Sequence, residues 1–302
     1  MNIKMHWYTI LWTTSLCTSH LVESVRVLSL GIFLSALFLL TACSSDDDTE
    51  LIDELEKELG KDVGNLSNLL TPLYNPEDIS WGGAPHYEQM GEWGTSIDDA
   101  GRYRGAQFYG TYDPIEKLYR APSSVEDLNG IFFVLDKDYE LRLDSMVEIP
   151  AWEGLPECSR RLDFYSEYYK GVPVYSGRYE FQFYGTTQGP RIINFTGWFY
   201  TFTNIDITPT ISSNTAMKIF SKYQNATIDN TWKCKLYVRE YNLQSKGKKV
   251  GVDQRLIYEV IGPPAQHYMD FGVYDISANL KAEIDAHTGQ IIVAGNSDFI
   301  AY

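Results

Sequence analysis

The stretch RRLDFYSEYYKGVPVYSGRYEFQFYG, residues 160–185, decides how the chain folds. Leu162, Phe164, Ser166 and Tyr168 alternate with Asp163, Tyr165, Glu167 and Tyr169, which is the two-residue period of an extended strand. The alternation stops at Lys170-Gly171-Val172-Pro173. Gly171 permits a positive φ and Pro173 fixes the next φ, so this segment reads as the corner between two antiparallel strands. Alternation resumes through Tyr179, Phe181 and Phe183, a turn follows at residues 186–190, and residues 192–203 form an aromatic-rich third strand. The expectation is an antiparallel meander.

Toward the C-terminus the period changes once. Ala216, Ile219, Phe220 and Tyr223 fall at i, i+3, i+4 and i+7, and Ser212 or Ser213 is placed to cap the first free N–H groups, so one helix is predicted. Strands are expected at 236–242, 255–261 and 280–286, then a turn at His287-Thr288-Gly289 and a last strand at 290–294. Toward the N-terminus, residues 66–101 are rich in turn formers and read as loop. Strands are expected at 103–109 and 131–135, the latter in a hairpin with a strand through Leu141, Leu143 and Val147. Pro150, Gly154 and Pro156 mark a soft domain boundary near residue 150. The fold class expected is therefore α+β: antiparallel sheets with one main helix in the C-terminal half and a mostly β N-terminal half.

The 302 residues are 44% hydrophobic and 22% charged, enough to bury a core, and 25 basic against 40 acidic residues give a formal charge of −15. A field of that sign repels phosphate backbones, so nucleic-acid binding is not expected. Residues 27–42 are uncharged, shorter than a membrane-spanning helix needs, and end in small residues before Cys43, which reads as a cleaved signal peptide over residues 1–42. Leu40-Thr41-Ala42-Cys43 resembles a bacterial lipobox, implying acylation of Cys43 and attachment to the membrane. From Ser44 to Asp62 nine acids and two lysines give a net charge of −7, so residues 43–65 read as an acidic tether, in which Leu51, Leu55 and Leu59 allow a short surface helix. The segment after Cys43 resembles the acidic signal of surface lipoproteins of the Bacteroidetes, which implies an outer-membrane, cell-surface location. Asp46 to Asp48 lack the alternating spacing and turn glycine of a Ca²⁺ loop.

Two motifs carry a further resemblance. Residues 168–177, YYKGVPVYSG, are similar to the opening hairpin of the fungalysin/thermolysin propeptide domain, and residues 282–292, AEIDAHTGQII, to the closing hairpin of the neighbouring PepSY domain. The resemblance covers about residues 160–294 of the segment 151–302, and leaves 66–150 as a loop-rich β region of unknown type. It implies a propeptide-like module that binds a protein partner, a peptidase above all, as inhibitor or chaperone in trans. Where such propeptides carry a glutamine shortly before the Tyr-x-Gly corner, Glu167 stands here. Gly171, Pro173, Asp285 and Gly289 are structural residues of these motifs: Asp285 is placed to bond backbone two residues on, and Gly289 to supply a left-handed turn position.

Signals of chemistry are absent from the sequence. No two of the five histidines (His6, His20, His86, His267, His287) lie four apart as in a zinc protease helix, and neither a Gly-x-Ser-x-Gly elbow nor a phosphate-binding loop occurs. No catalytic residue, metal or cofactor is therefore expected, although a triad built from distant residues is an alternative that sequence order does not constrain. Cys158 and Cys234 read either as a disulfide or as two buried thiols. Among the tryptophans, Trp81 and Trp93 are each followed directly by a glycine in a turn-rich region, and read either as core residues or as stacking platforms for a glycan. Two functions follow as expectations: a noncatalytic cell-envelope lipoprotein that binds a protein, or a surface glycan- or ligand-binding lipoprotein.

Overall fold

A computed structural model describes residues 45–80, 86–98, 101–108, 119–150, 159–245, 248–266 and 277–296. The signal peptide, Cys43, Trp81, Cys158 and His267 lie outside the described residues. The chain divides into two compact units, Met1–Asp53 and Glu54–Tyr302. Helix α1 (Ser45–Leu59) begins in the first unit, where its Leu51 is buried, and ends in the second.

The described part of the second unit is built on twelve strands: β1 (Ile79–Ser80), β2 (His86–Met90), β3 (Trp93–Ile97), β4 (Tyr103–Phe108), β5 (Tyr139–Ile149), β6 (Arg160–Tyr169), β7 (Val172–Tyr184), β8 (Arg191–Gly197), β9 (Lys233–Ser245), β10 (Lys248–Gln266), β11 (Ser277–Asp285) and β12 (Ile291–Asn296). They form one sheet in the order β12-β11-β10-β9-β7-β8-β4-β3-β2, with β1 beside β9, β6 beside β7, and β5 beyond β6. Every pairing is antiparallel except β7 with β9, a parallel bridge at Val174 and Val238. The α+β expectation is overturned. About half of the described residues lie in strands of a single mixed sheet. The helices among the described residues are α1, the five-residue α2 (Leu66–Leu70) and the twelve-residue α3 (Ser213–Gln224), beside short 3-10 turns. The helical period at 216–223 is real, but it describes one short element against a sheet that dominates both halves.

Strand β7 explains how one strand joins two antiparallel arrays. Lys170 and Gly171 have φ of 48° and 84° and form the tight corner after β6, with Tyr169 opposite Val172. Val174 then bridges to β9, after which Ser176 takes φ 60° and the register with β6 slips. From Tyr179 onward β7 pairs with β8 instead. Gly177 is required by proximity: a Cβ there would lie 2.8 Å from Glu167 Cβ and 2.9 Å from Val174 Cβ.

The inner face of β3, β4, β7 and β8 carries an aromatic core. Trp93 meets Phe108 edge-on at 5.3 Å and Phe132 at 5.2 Å, while Phe133 stacks on Phe199 at 5.8 Å. Such rings each contribute about 1.5–3 kcal/mol by burial. Phe132 and Phe133 reach this core from a loop, which corrects the strand expected at 131–135. Asn129 closes that loop, accepting from Leu135 N at 2.7 Å and donating to Leu135 O at 3.1 Å, so two adjacent phenylalanines turn inward where a strand would send one out. Strand β5 consequently pairs with β6, across residue 150, and the soft boundary placed there is not a break in the sheet. The hairpin β2–β3 also occupies sequence read as loop.

On the other array, α3 is capped by Ser212, whose Oγ accepts from Thr215 N at 3.1 Å, and it buries Ala216, Ile219 and Phe220. Phe220 packs edge-on to Trp232 at 5.7 Å. The end of α1 docks here too, so the later part of the acidic stretch is not a loose spacer. Leu55 is fully buried, Glu58 accepts from Ser212 N at 2.9 Å, and Glu54 pairs with Lys218 at 2.5 Å.

Candidate functional site

Two groups of polar residues compete for a functional role, and exposure separates them. The first lies where β7 passes between the arrays. Arg102 bridges Asp98 at 2.9 Å and Glu240, Arg239 pairs with Glu283, and Tyr241 donates to Glu283 at 2.7 Å. Lys281 joins Glu259 and Tyr175, each at 2.5 Å. Glu167 has no exposed surface and accepts from Tyr200 N at 3.1 Å, while its Oε1 has no hydrogen-bond partner. Burial pushes the Glu167 carboxyl well above the usual range, and Tyr200 N–H, Tyr179 and Arg102 only partly oppose this. Burial likewise raises the Tyr179 hydroxyl, with Glu167 adding to the effect, and takes Tyr200 to about 12. Beside this network the sheet leaves a cavity of about 20 Å³ lined by Arg102, Tyr200, Arg239 and Glu240, which is space for roughly one water. Each base named there is engaged by an acid and the cavity holds no more than about one water, so the network joins the two arrays.

The second group is exposed strand β5. It pairs with β6 along one side and, among the described residues, with nothing along the other. Eleven residues thus present one row of unpaired N–H and C=O groups to solvent. Pairing with β6 sends Leu141, Leu143 and Met146 to one face and Val147 and Ile149 to the other. Leu143, Met146, Val147 and Ile149 are exposed at 47%, 57%, 48% and 38%. Asp144 is the extra residue of a bulge between Leu143 and Ser145, and it accepts from Ser166 at 2.5 Å. Along the strand stand Glu140, Asp144 and Glu148 against Arg142. Arg142 is already engaged by Glu140 at 2.7 Å, holding that carboxyl below its ordinary range, and it covers the Tyr168 ring at 3.9 Å. The edge is therefore apolar with a net acidic charge. The other ends of the sheet are less open: Leu73 N and Tyr74 N donate to Ile291 O and Ile292 O of β12 at 2.9 Å each, and β2 has only five residues.

The residues singled out from sequence are scattered. Trp93 is buried in the aromatic core with its ring against Phe108 and Phe132, which corrects the stacking role considered for it. Cys234 is a free, half-buried thiol, raised to about 12 by burial and by Glu259, and its candidate partner Cys158 lies outside the described residues. Gly171 and Pro173 form the β6–β7 corner. Asp285 lies at the opposite array, where its Oδ1 accepts from His287 N and Thr288 N at 2.9 Å each and its Oδ2 meets Arg255 at 2.6 Å. Gly289, with φ 75°, closes that turn, and His287 sits in it, its Nε2 3.1 Å from Asp206 O. Among the described residues no three His, Cys, Asp or Glu side chains converge as a metal site, and no helix is long and apolar enough to cross a membrane. Sequence reasoning missed the open side of β5, because it paired that strand with 131–135. Four charged side chains within this one strand, Glu140, Arg142, Asp144 and Glu148, are the signal available in the sequence, because charges are common on open edges.

No protein-family model matches the chain, and no curated protein matches its sequence. Among solved structures, the Bacillus megaterium YpeB C-terminal domain is similar with a TM-score of 0.27 and 13% sequence identity, over 70% of this chain and 88% of that one.

Proposed function

We propose that this chain is a noncatalytic binding module, tethered through acylated Cys43 at the cell envelope, that takes an extended segment of a partner protein as an additional strand on β5. The observation that carries the reading is the eleven-residue edge with four large apolar side chains exposed and one backbone row unpaired among the described residues. In strand addition the main chain supplies affinity, and alternate side chains on the two faces supply selection. Acids at 140, 144 and 148 favour an incoming segment that alternates apolar and basic residues, and they disfavour a second copy of this strand, which brings the same acids. The propeptide resemblance points to a secreted peptidase as the partner, held in trans.

The test uses an eight-residue alternating Lys-Val peptide with blocked ends, with a Glu-Val peptide as control. The expected result is slowed amide exchange confined to residues 139–149 with the basic peptide, at least roughly tenfold weaker binding of the acidic one, and a comparable loss in a Val147→Lys, Ile149→Lys variant of unchanged thermal stability. Absence of protection on β5, or equal binding by the variant, overturns the reading.

A further inference from the structure

Away from β5, the outer face of β2, β3, β4, β8 and β7 is a polar surface of unusual regularity. Gln89 lies opposite Gly94, Gly94 opposite Gln107, Gln107 opposite Asn194, and Asn194 opposite Gln182. Residues paired across antiparallel strands point to the same face, so four side-chain amides stand in one row across five strands. At about 4.8 Å per strand the row is roughly 19 Å long. The amides of Gln107, Asn194 and Gln182 make no hydrogen bond to one another or to any other described group.

The surface is hollowed as well as polar. Gly94 and Gly105 leave the middle strands without side chains, and a Cβ at Gly105 would lie 2.9 Å from Phe195 O, so the hollow is enforced by the β4–β8 approach. An open groove of about 430 Å³ results. Tyr87, 81% exposed on strand β2, forms its rim, and Thr196 lies beside Asn194 along β8. Full charges are sparse here. Glu88 is turned to His86 at 3.3 Å, and Arg104 lies against Asp98 and the Trp198 ring.

We infer that this groove binds a neutral oligosaccharide, an activity separate from strand addition. Each amide both donates and accepts, as a sugar hydroxyl does, so this row, in which Gln89 donates to Gly91 O at 3.2 Å and the other three have no partner among the described residues, matches a chain of hydroxyl groups. The charges that line the groove, Glu88 and Arg104, are engaged by His86 and by Asp98 and the Trp198 ring, and on a chain of net charge −15 an anionic polymer is repelled as well. The exposed Tyr87 ring supplies the flat apolar surface on which the C–H face of a sugar ring rests. The glycines keep the floor low enough for a chain to touch several amides at once.

The experiment titrates the protein with maltohexaose, cellohexaose, xylohexaose and laminarihexaose, each to about 5 mM, and reads the side-chain amide resonances by NMR. The expected result is saturable binding of at least one hexasaccharide, with shifts at Gln107, Asn194 and Gln182, and at least a roughly tenfold loss of affinity in Tyr87→Ala and in Gln107→Ala, Asn194→Ala. The Val147→Lys, Ile149→Lys variant, which disables β5, binds as the parent protein does. Tyr87→Ala carries the test if the double variant fails to fold, because Tyr87 is exposed. No binding by any hexasaccharide, binding that survives these variants, or preference for a sulfated oligosaccharide overturns the inference.

Discussion

Replacing Glu167 by glutamine tests the account of the buried network. The folded-state pKa of Glu167 is raised by burial, whereas the unfolded chain holds a carboxyl near the ordinary 4.5. Below that pH both states bind the proton, and the residue imposes no penalty. Above it the unfolded chain releases the proton first, so stability falls by about 1.4 kcal/mol per pH unit until the folded-state carboxyl ionises in turn. Two units above 4.5, at pH 6.5, the ceiling on this loss is about 3 kcal/mol. Glutamine keeps an acceptor for Tyr200 N–H, removes the ionisation, and brings a donor to the side on which Oε1 lacks a partner and Tyr179 lies. Urea unfolding at pH 4.0, 5.5 and 6.5 is the assay, with the slope of each transition checked for constancy. Glu167→Gln is expected to match the parent at pH 4.0 and to exceed it by about 1–3 kcal/mol at pH 6.5. A gain of the same size at both pH values, or a loss at pH 6.5, refutes the reasoning.

Gly177→Ala places a methyl against Glu167 and Val174 and is expected to cost about 1–3 kcal/mol, seen as a lower thermal midpoint. Asp285→Ala removes the acceptor for two backbone N–H groups and a partner of Arg255, a loss of about 2–3 kcal/mol in chemical denaturation. Asp285→Asn, which retains an acceptor for the turn, is expected to lose less than Asp285→Ala. Leu55→Ala empties a fully buried site next to Gly289 and is expected to destabilise by about 2–4 kcal/mol, with amide exchange rising first over residues 54–59.

How far the sequence foretold this structure depends on how local each signal was. The β6–β7 corner, the Ser212 cap and the Asp285 turn are set by residues within a few positions of one another, and each stands where its own chemistry places it. The run at 131–135 misled because five apolar residues suit a strand or a buried loop equally, and only the Asn129 side chain, reaching Leu135, decides between them. The fold class failed because strands were counted in two halves, whereas pairing of β5 with β6 and of β4 with β8 runs across residue 150. Trp93 looked available because glycines surround it; alternation along β3 turns it inward. The amide row was illegible because its members come from four strands separated by up to about a hundred positions, and only register aligns them.

The meeting of early and late segments constrains how the chain is made. Leu55 rests beside Gly289, Glu58 waits for Ser212, and Leu73 and Tyr74 hydrogen-bond to Ile291 and Ile292. During synthesis the leading segment therefore emerges more than two hundred residues before its final hairpin exists, with its leucines uncovered in the interval. Assembly of this end of the molecule is a last event. A ribosome stalled short of residue 290 leaves that segment open to proteases and chaperones, however well the aromatic meander has already formed.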